Sequence, residues 1–240
     1  MHIRARIIAA LFCVALLLPS TAAFAQQKLS GLYVRGDLGG AFGAGTTFKD
    51  SNPTAANCVL CTTTLPTSPG SSFLFGGGVG YRFTPVLRAD VTLDYMPQFN
   101  AHGTNSTGSA SVTFNTFVGL VNGYVDLNGL MPNAFGSFQP YLTAGVGFSR
   151  NSMGTAAGRA FGVSGTQSGA TNTDLAWSIG AGVAYPINQN LTFDVGYKYL
   201  DLGELRTGST NTAGGVTTTS TVQKADLQAH VVTAGLRWAF

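Results

Sequence analysis

The sequence predicts an all-β protein: an eight-stranded antiparallel transmembrane β-barrel of the bacterial outer membrane, preceded by a cleavable signal peptide. Three observations lead to this prediction. Large apolar side chains alternate with small or charged ones along eight separate segments, and the connections between these segments alternate between short and long. The chain also begins with a basic and then apolar leader. Segments of about ten alternating residues, with short turns at one end and long loops at the other, are typical of outer-membrane barrels.

The leader, residues 1–25, has the three parts of a secretory signal peptide. Two arginines supply a basic start, and the apolar run that follows is too short to cross a membrane as a helix. Ala23 and Ala25 form an A-x-A cleavage site. We therefore expect a signal peptide over residues 1–25 and a barrel domain over residues 26–240.

Composition excludes two broad classes of protein. Charged residues make up 10% of the chain and aromatic residues 11%, whereas disordered chains have more charge and few aromatic residues. Lys and Arg number 13 against 10 Asp and Glu, and two of the arginines lie in the leader. The remaining 11 against 10 leave the mature chain nearly neutral, so nothing in its charge points to a nucleic-acid partner.

The first four segments follow the leader as residues 31–42, 73–84, 87–98 and 112–127. In each, every second residue is mostly large and apolar, which is the period of a strand with one apolar face. The fourth segment is regular only in its later half. The apolar faces comprise Leu32, Val34, Leu38 and Phe42; Phe73, Phe75, Val79, Tyr81 and Phe83; Leu87, Ala89, Val91, Leu93 and Tyr95; and Val121, Val125 and Leu127.

The second four segments repeat the pattern over residues 139–150, 175–186, 191–202 and 227–240. Eight is an even number, as closed single-chain barrels of bacteria require. Their apolar faces comprise Leu142, Ala144, Val146 and Phe148; Leu175, Trp177, Ile179, Ala181, Val183 and Tyr185; Leu191, Phe193, Val195 and Tyr197; and Val232, Ala234, Leu236, Trp238 and Phe240.

The connections divide into two groups by length. Tight turns are expected at residues 84–86 and 186–190, with a medium one at residues 128–137. The long connections are rich in Gly, Ser, Thr and Asn, and we expect them to be the four surface loops, with both chain termini in the periplasm. They comprise residues 43–72, 99–111, 150–174 and 203–226.

Side-chain volume decides which strand face lines the lumen. Eight strands enclose an interior just wide enough for side chains to fill, and the large apolar face would overfill it. The opposite face carries Gly, Ala, Ser and Thr with a few charges, and it fits a narrow lumen. We therefore expect the large face to contact lipid, with aromatic residues such as Tyr185 and Trp238 near the membrane interfaces.

Ten charged residues fall on the small face and are predicted to line the lumen. Buried charges must be paired or hydrated, which leaves two roles open: a set of ion pairs that plugs the barrel, or the mixed-sign walls of an ion path. Equal numbers of each sign in a narrow lumen favour the plug. The positive members are Arg35, Arg82, Arg88, Lys198 and Arg237, and the negative members are Asp37, Asp90, Asp94, Asp126 and Asp194.

Cys58 and Cys61 form a C-x-x-C pair in the mature chain. Such a pair suits a redox dithiol or half of a zinc site. Apart from these cysteines, the mature chain offers only His102 and His230 as soft ligands, so we expect no metal site. In an exported, oxidising setting a small local disulfide is the better interpretation.

Three features together resemble the outer membrane protein beta-barrel domain family, whose OmpA-like, porin-annotated members are common in alphaproteobacteria and include some surface antigens. They are the A-x-A leader, the eight alternating segments, and a last strand that ends with Leu236, Trp238 and Phe240 at alternate positions. This ending is similar to the signal read by the barrel assembly machinery. The resemblance implies contact with outer-membrane lipid and lipopolysaccharide, and assembly through periplasmic chaperones and that machinery.

Catalysis is not expected. Nucleophilic catalysis needs a serine with an oriented base, and neither G-x-S-x-G nor the His-x-Ser of lipid A deacylase barrels occurs in the sequence. We interpret His102 and His230 as exposed or interfacial residues, and we expect no cofactor.

The function we expect is structural and interactive: envelope integrity and surface contact through the loops at residues 43–72, 150–174 and 203–226. One alternative is a narrow porin-like channel that uses the charged lumen. A weaker alternative is a surface receptor for a host molecule or a haem-like ligand.

Overall fold

The computed structural model describes residues 31–44, 46–47, 49–50, 66–105, 108–160, 162–219 and 222–240. The leader with Ala23 and Ala25, and the Cys58–Cys61 pair, lie outside the described residues. The signal peptide and the disulfide therefore stay predictions.

Eight long strands make up the barrel wall. Six shorter strands lie in the connections: β2 (Thr46–Thr47), β3 (Lys49–Asp50), β4 (Pro66–Pro69), β9 (Ala156–Ala160), β10 (Val163–Gly169) and β13 (Val216–Thr219). A single helical turn, α1 (Leu127–Leu130), follows the fourth long strand. The long strands are β1 (Leu32–Gly43), β5 (Ser71–Arg82), β6 (Leu87–Asn105), β7 (Gly108–Asp126), β8 (Gln139–Met153), β11 (Thr171–Pro186), β12 (Leu191–Ala213) and β14 (Gln223–Ala239).

The eight long strands close into an antiparallel ring. Each pairs with the next long strand along the chain, and the first pairs with the last, so that Arg35 lies opposite both Arg237 of β14 and Gly78 of β5. Every one of the eight predicted segments corresponds to one of these strands, which confirms the predicted fold class. Within the part of the chain that the structure describes, no helix is both long and apolar enough to cross a membrane.

Near the short-turn end of the barrel, successive side chains alternate between the lumen and the outer face as predicted. On β1, Tyr33, Arg35 and Asp37 are buried in the lumen, whereas Val34 and Leu38 are exposed on the outer face. The same holds around the ring, where the exposed large residues include Phe73, Val79, Leu93, Leu142, Trp177, Ile179, Tyr185, Phe193, Val232 and Trp238. This outer apolar belt is the surface that meets lipid.

Inward-facing glycines make room for the large lumenal side chains. A Cβ built on Gly182 would collide with the hydroxyl of Tyr141, and one on Gly80 would collide with the ring of Tyr33. One on Gly76 would collide with the carboxylate of Asp94. Gly76 and Gly78 thus leave space for their neighbours on β6.

Three of the four predicted surface loops are mostly strand, and this part of the prediction is wrong. The strand β6 continues to Asn105, β7 begins at Gly108 and β12 continues to Ala213, and β9 and β10 form a hairpin within residues 150–174. That hairpin pairs with β7 on one side and with β12 on the other. Polar Thr, Ser and Asn gave these regions a loop-like composition, but β-branched Thr suits a strand, and the backbone groups pair across the extension.

The lumen also differs from the prediction towards the extracellular end. Small residues were expected there, but an apolar tier of buried side chains fills this end: Leu74, Met96, Phe99, Phe114, Val118, Leu120, Met153, Leu200, Leu202, Leu205, Leu227 and Val231. Several of its members come from the small face of the predicted strands, and others come from the strand extensions beyond the predicted segments.

Two bulges explain part of this error. The register of β6 shifts between Met96 and Phe99, where Gln98 has a φ of 52°, and that of β12 shifts between Asp201 and Glu204. A bulge adds one residue to one strand, so the inward-facing positions change from even to odd numbers. Phe99 and Leu205 therefore face the lumen, where an uninterrupted period of two would place them outside.

We expect Gly182→Ala to lower the free energy of unfolding by about 1–3 kcal/mol, because the new methyl group displaces the Tyr141 hydroxyl from a filled lumen. Gly36→Ala is the matched control, since a Cβ there meets nothing within 4 Å. Urea unfolding of the refolded proteins, followed by gel mobility of unheated samples, measures both. Equal stability of the two variants would contradict the assigned packing.

Candidate functional site

The ten predicted charges cluster in the half of the lumen nearest the short turns. Lys198 is half-buried, and the Arg82 side chain is 40% exposed at the mouth. The other eight are buried: Arg35, Asp37, Arg88, Asp90, Asp94, Asp126, Asp194 and Arg237. The strands thus bring together, in one layer, charges that are far apart in sequence.

Arg35 is the centre of this charge layer. Its Nε and Nη2 donate to the two carboxylate oxygens of Asp37 at 2.8 and 2.7 Å. Its Nη1 donates to Asp90 Oδ2 at 3.2 Å and to the Tyr124 hydroxyl at 2.8 Å. Three long strands, β1, β6 and β7, are therefore joined through one guanidinium group across the lumen.

Asp90 is fully occupied as an acceptor. Besides Arg35, it accepts from the hydroxyls of Tyr33 and Tyr124 at 3.1 Å each, and from Asn122 Nδ2 at 2.9 Å. Hydrogen bonds from this many donors, one of them charged, offset the free-energy cost of desolvating the Asp90 carboxylate. The carboxylate is held without contact to water.

A second group lies closer to the short turns. Arg88 Nε donates to Asp126 Oδ1 at 3.0 Å, and Arg82 Nη2 lies 3.4 Å from Asp126 Oδ2. The guanidinium of Arg88 stacks over the ring of Tyr124, 3.9 Å from its centroid, and lies 4.8 Å from that of Tyr141. Stacking on two rings fixes the plane of this cation.

Asp194 and Arg237 extend this group across β12 and β14. The Tyr141 hydroxyl donates to Asp194 Oδ1 at 2.5 Å, and Arg237 Nη1 lies 3.7 Å from Asp194 Oδ2. The guanidinium of Arg237 lies over the ring of Tyr33 at 5.5 Å. The distance of 3.7 Å makes this the loosest of the four lumenal ion pairs that involve a buried arginine.

Asp94 and Lys198 occupy the remaining lumenal positions. Among the described residues, neither belongs to an ion pair within 4 Å. The predicted set of ten thus contains eight members of direct ion pairs and two that face the same lumen without one.

Three tyrosines lie on the lumenal face beside the charges, and no role was predicted for them. Tyr33, Tyr124 and Tyr141 supply hydroxyl donors to the carboxylates and ring faces to the arginines. Their inward position beside charged residues was the available signal, because a buried phenol hydroxyl needs a polar partner.

The residues predicted to matter on the outer wall do lie there. Leu236, Trp238 and Phe240 are about half exposed on the outer face of the last strand, and the Phe240 amide donates to the carbonyl of Leu32 at 3.1 Å. His230 lies on the same face, with its Nδ1 2.7 Å from the Tyr197 hydroxyl. His102 is exposed on β6, so both histidines occupy surface positions.

The described residues contain no group of His, Cys, Asp or Glu side chains arranged to hold a metal ion. The layer is therefore built from arginine–carboxylate pairs and tyrosines. Above it, towards the extracellular end, lies the apolar tier.

Comparison with known proteins now places the chain in a family. The sequence profile of the outer membrane protein beta-barrel domain matches residues 11–240. The chain belongs to that family. It is therefore a β-barrel of the bacterial outer membrane, and the resemblance noted in its sequence is confirmed.

Individual relatives agree with this assignment. The chain is 27% identical over 225 residues to outer membrane protein PagN of Salmonella typhimurium, covering 84% of this chain and 87% of PagN. It is 28% identical over 192 residues to a candidate adhesin of Rickettsia bellii, covering 73% and 78% of the two chains. Among solved structures, the outer membrane protein OprG from Pseudomonas aeruginosa has a TM-score of 0.53 at 14% identity, covering 88% of this chain and 96% of OprG.

We expect the barrel to show no single-channel conductance in a planar bilayer, because the charge layer and the apolar tier both fill the lumen. Single-channel recording of the refolded mature chain measures this, after the mobility difference between unheated and boiled gel samples has established folding. Reproducible, ion-selective steps above baseline would contradict the plug and support the porin-like alternative.

Proposed function

We propose that this member of the family is a non-catalytic, non-conducting surface-contact protein that presents a rigid β-extension above the outer membrane. The observation that carries the proposal is the length of its strands. About 9–11 residues suffice for a tilted strand to cross a membrane, whereas β6 and β7 each have 19 residues and β12 has 23.

The extension is a continuous sheet rather than a set of separate loops. Beyond the ends of β8 and β11, the β9–β10 hairpin continues the wall, with Gly108 of β7 opposite Ala160 and Ala213 of β12 opposite Gly165. Gln167 is buried within it and donates to the Thr207 hydroxyl at 2.9 Å. A surface with its backbone already ordered loses less conformational entropy when it binds.

Two ion pairs between side chains lie at the base of this extension. Glu204 on β12 accepts from Arg206 at 2.9 Å and lies 3.3 Å from the ammonium of Lys224 on β14. Burial disfavours the charged carboxylate, but the hydrogen bond and charge of Lys224, aided by Arg206, hold the pKa of Glu204 below its ordinary value. The carboxylate is therefore ionised at neutral pH and joins two long strands where they leave the membrane.

The chemistry of the extension favours a polar, uncharged partner. Its exposed positions are mostly hydroxyl-bearing, and Val163 and Val216 add small apolar contacts at the tips. The hydroxyl-bearing positions include Ser109, Ser111, Thr113, Ser164, Thr166, Thr210, Thr217, Thr218 and Thr219. Such a surface offers many hydrogen bonds and little charge apart from the exposed Arg159 on β9, which suits a glycan or a protein ligand on a host or neighbouring surface. The candidate adhesin among the relatives supports this proposal.

The decisive variant replaces residues 155–169, which include the β9–β10 hairpin, with a short Gly-Asn turn between Gly154 and Ala170. We expect binding of barrel-displaying bacteria to cultured epithelial cells to fall about tenfold or more, as loss of a binding centre does. The ring should still form, because Gly154 keeps its backbone hydrogen bond to Thr113 of β7.

The matched control changes the opposite end of the barrel. Residues 187–190 form a short periplasmic turn, and replacing them with another four-residue turn should leave cell binding unchanged. Protease treatment of intact cells measures how much of each variant is on the surface, and strains with equal amounts are compared. If the hairpin variant binds as well as the unchanged protein, the extension is not the contact surface.

We also propose that the last strand is read by the barrel assembly machinery after delivery by periplasmic chaperones. Phe240→Ser should lower the outer-membrane level of the protein while leaving export intact, measured by fractionation and heat-dependent gel mobility. Phe83→Ser is the control, because Phe83 is an equally exposed aromatic residue at the end of a different strand. Normal levels of the Phe240 variant would contradict this role.

A further inference from the structure

Two buried arginines in the charge layer have donors that the protein leaves without acceptors. The side chain of Arg88 has no exposed surface, and among the described residues its Nη1 and Nη2 have no hydrogen-bond partner. Nη1 of Arg237, also buried, has none either. A buried donor left unsatisfied is costly, and more so when it carries charge.

The neighbouring carboxylate oxygens are occupied or lie beyond hydrogen-bond distance, and Asp194 Oδ2 itself has no hydrogen-bond partner among the described residues. Asp126 receives Nε of Arg88 and also lies beside Arg82. Asp194 Oδ1 receives the Tyr141 hydroxyl, while its Oδ2 lies 3.7 Å from Arg237, beyond hydrogen-bond distance. The two tyrosine rings under Arg88 hold its guanidinium in place, so it cannot turn towards another carboxylate without losing both contacts.

Charge at this end of the lumen is unbalanced as well. Three arginines, Arg82, Arg88 and Arg237, share two carboxylates, those of Asp126 and Asp194. Arg88 and Arg237 are linked through Tyr141, whose ring lies 4.8 Å from the Arg88 guanidinium and whose hydroxyl donates to Asp194, the carboxylate nearest to Arg237. The layer as a whole holds five charges of each sign, so the imbalance is local. A local excess of positive charge attracts an anion more strongly in a space of low effective dielectric than it would in water.

We propose that the lumen binds a halide-sized inorganic anion, such as chloride, between Arg88 and Arg237 at the periplasmic end. The anion accepts from the unpartnered guanidinium nitrogens and cancels the excess charge. It is small because Tyr33, Tyr124 and Tyr141 already occupy the space around these arginines. Arg82, partly exposed at the mouth, adds a third positive charge beside Asp126.

Bromide tests the site directly. Crystals of the refolded mature chain grown in sodium bromide should show an anomalous peak within contact distance of Arg88 and Arg237. Water alone at these nitrogens, or bromide only at exposed positions, would overturn the proposal. This measurement uses the unchanged protein, so it remains decisive even if a variant fails to fold.

A titration provides the second test. The thermal midpoint of heat-dependent gel mobility should rise with chloride or bromide but not with gluconate at equal ionic strength. We expect Arg88→Gln or Arg237→Gln to weaken the apparent halide affinity about tenfold, as loss of one charged hydrogen-bond donor does. Arg159→Gln removes the same charge from the exposed β9 strand and should change nothing. A halide effect that survives in both lumenal variants would overturn the site.

Discussion

Closure of the backbone hydrogen-bond ring is the constraint on which the rest of this structure depends. Lipid cannot satisfy an amide or a carbonyl group, so each spanning strand must pair on both sides. Pairing of the first and last strands achieves this, with Tyr33 opposite Ala239 and Gly43 opposite Ala229. Closure then fixes which residues point inward, and with an interior this narrow it obliges the large apolar side chains to face lipid.

The interior is divided into two layers by the same pairing. Near the short turns, arginines pair with aspartates and tyrosines, and a buried charge left without any partner would be costly. Towards the extracellular end, apolar side chains fill the space, because Phe99 and Leu205 follow bulges that reverse the side-chain alternation. The charged layer specifies which strands lie opposite one another, since Arg35 reaches Tyr124 across 89 positions of sequence.

The sequence allowed the eight strands and their lipid-facing sides to be predicted, because a period of two needs only local residues to be recognised. It also placed the ten charges on the lumenal face. Their pairing could not be predicted, because the partner of Arg35 or Arg88 depends on strand tilt and register around the whole ring. The apolar tier was missed where bulges such as that at Gln98 interrupt the period, and the extension was missed because Thr and Ser occur in strands and loops alike.

The filled lumen and the extension of the barrel wall depend on each other physically. A barrel with a wet, open centre could flex at its extracellular end, where the strands no longer have lipid around them. Here Leu202 and Leu227 are buried beneath the extension, and Asn151 Nδ2 donates to the carbonyl of Leu202 at 2.9 Å across the lumen. The apolar tier therefore serves as a core for the part of the sheet above the membrane. The filled interior is also what lets the wall extend as an ordered sheet.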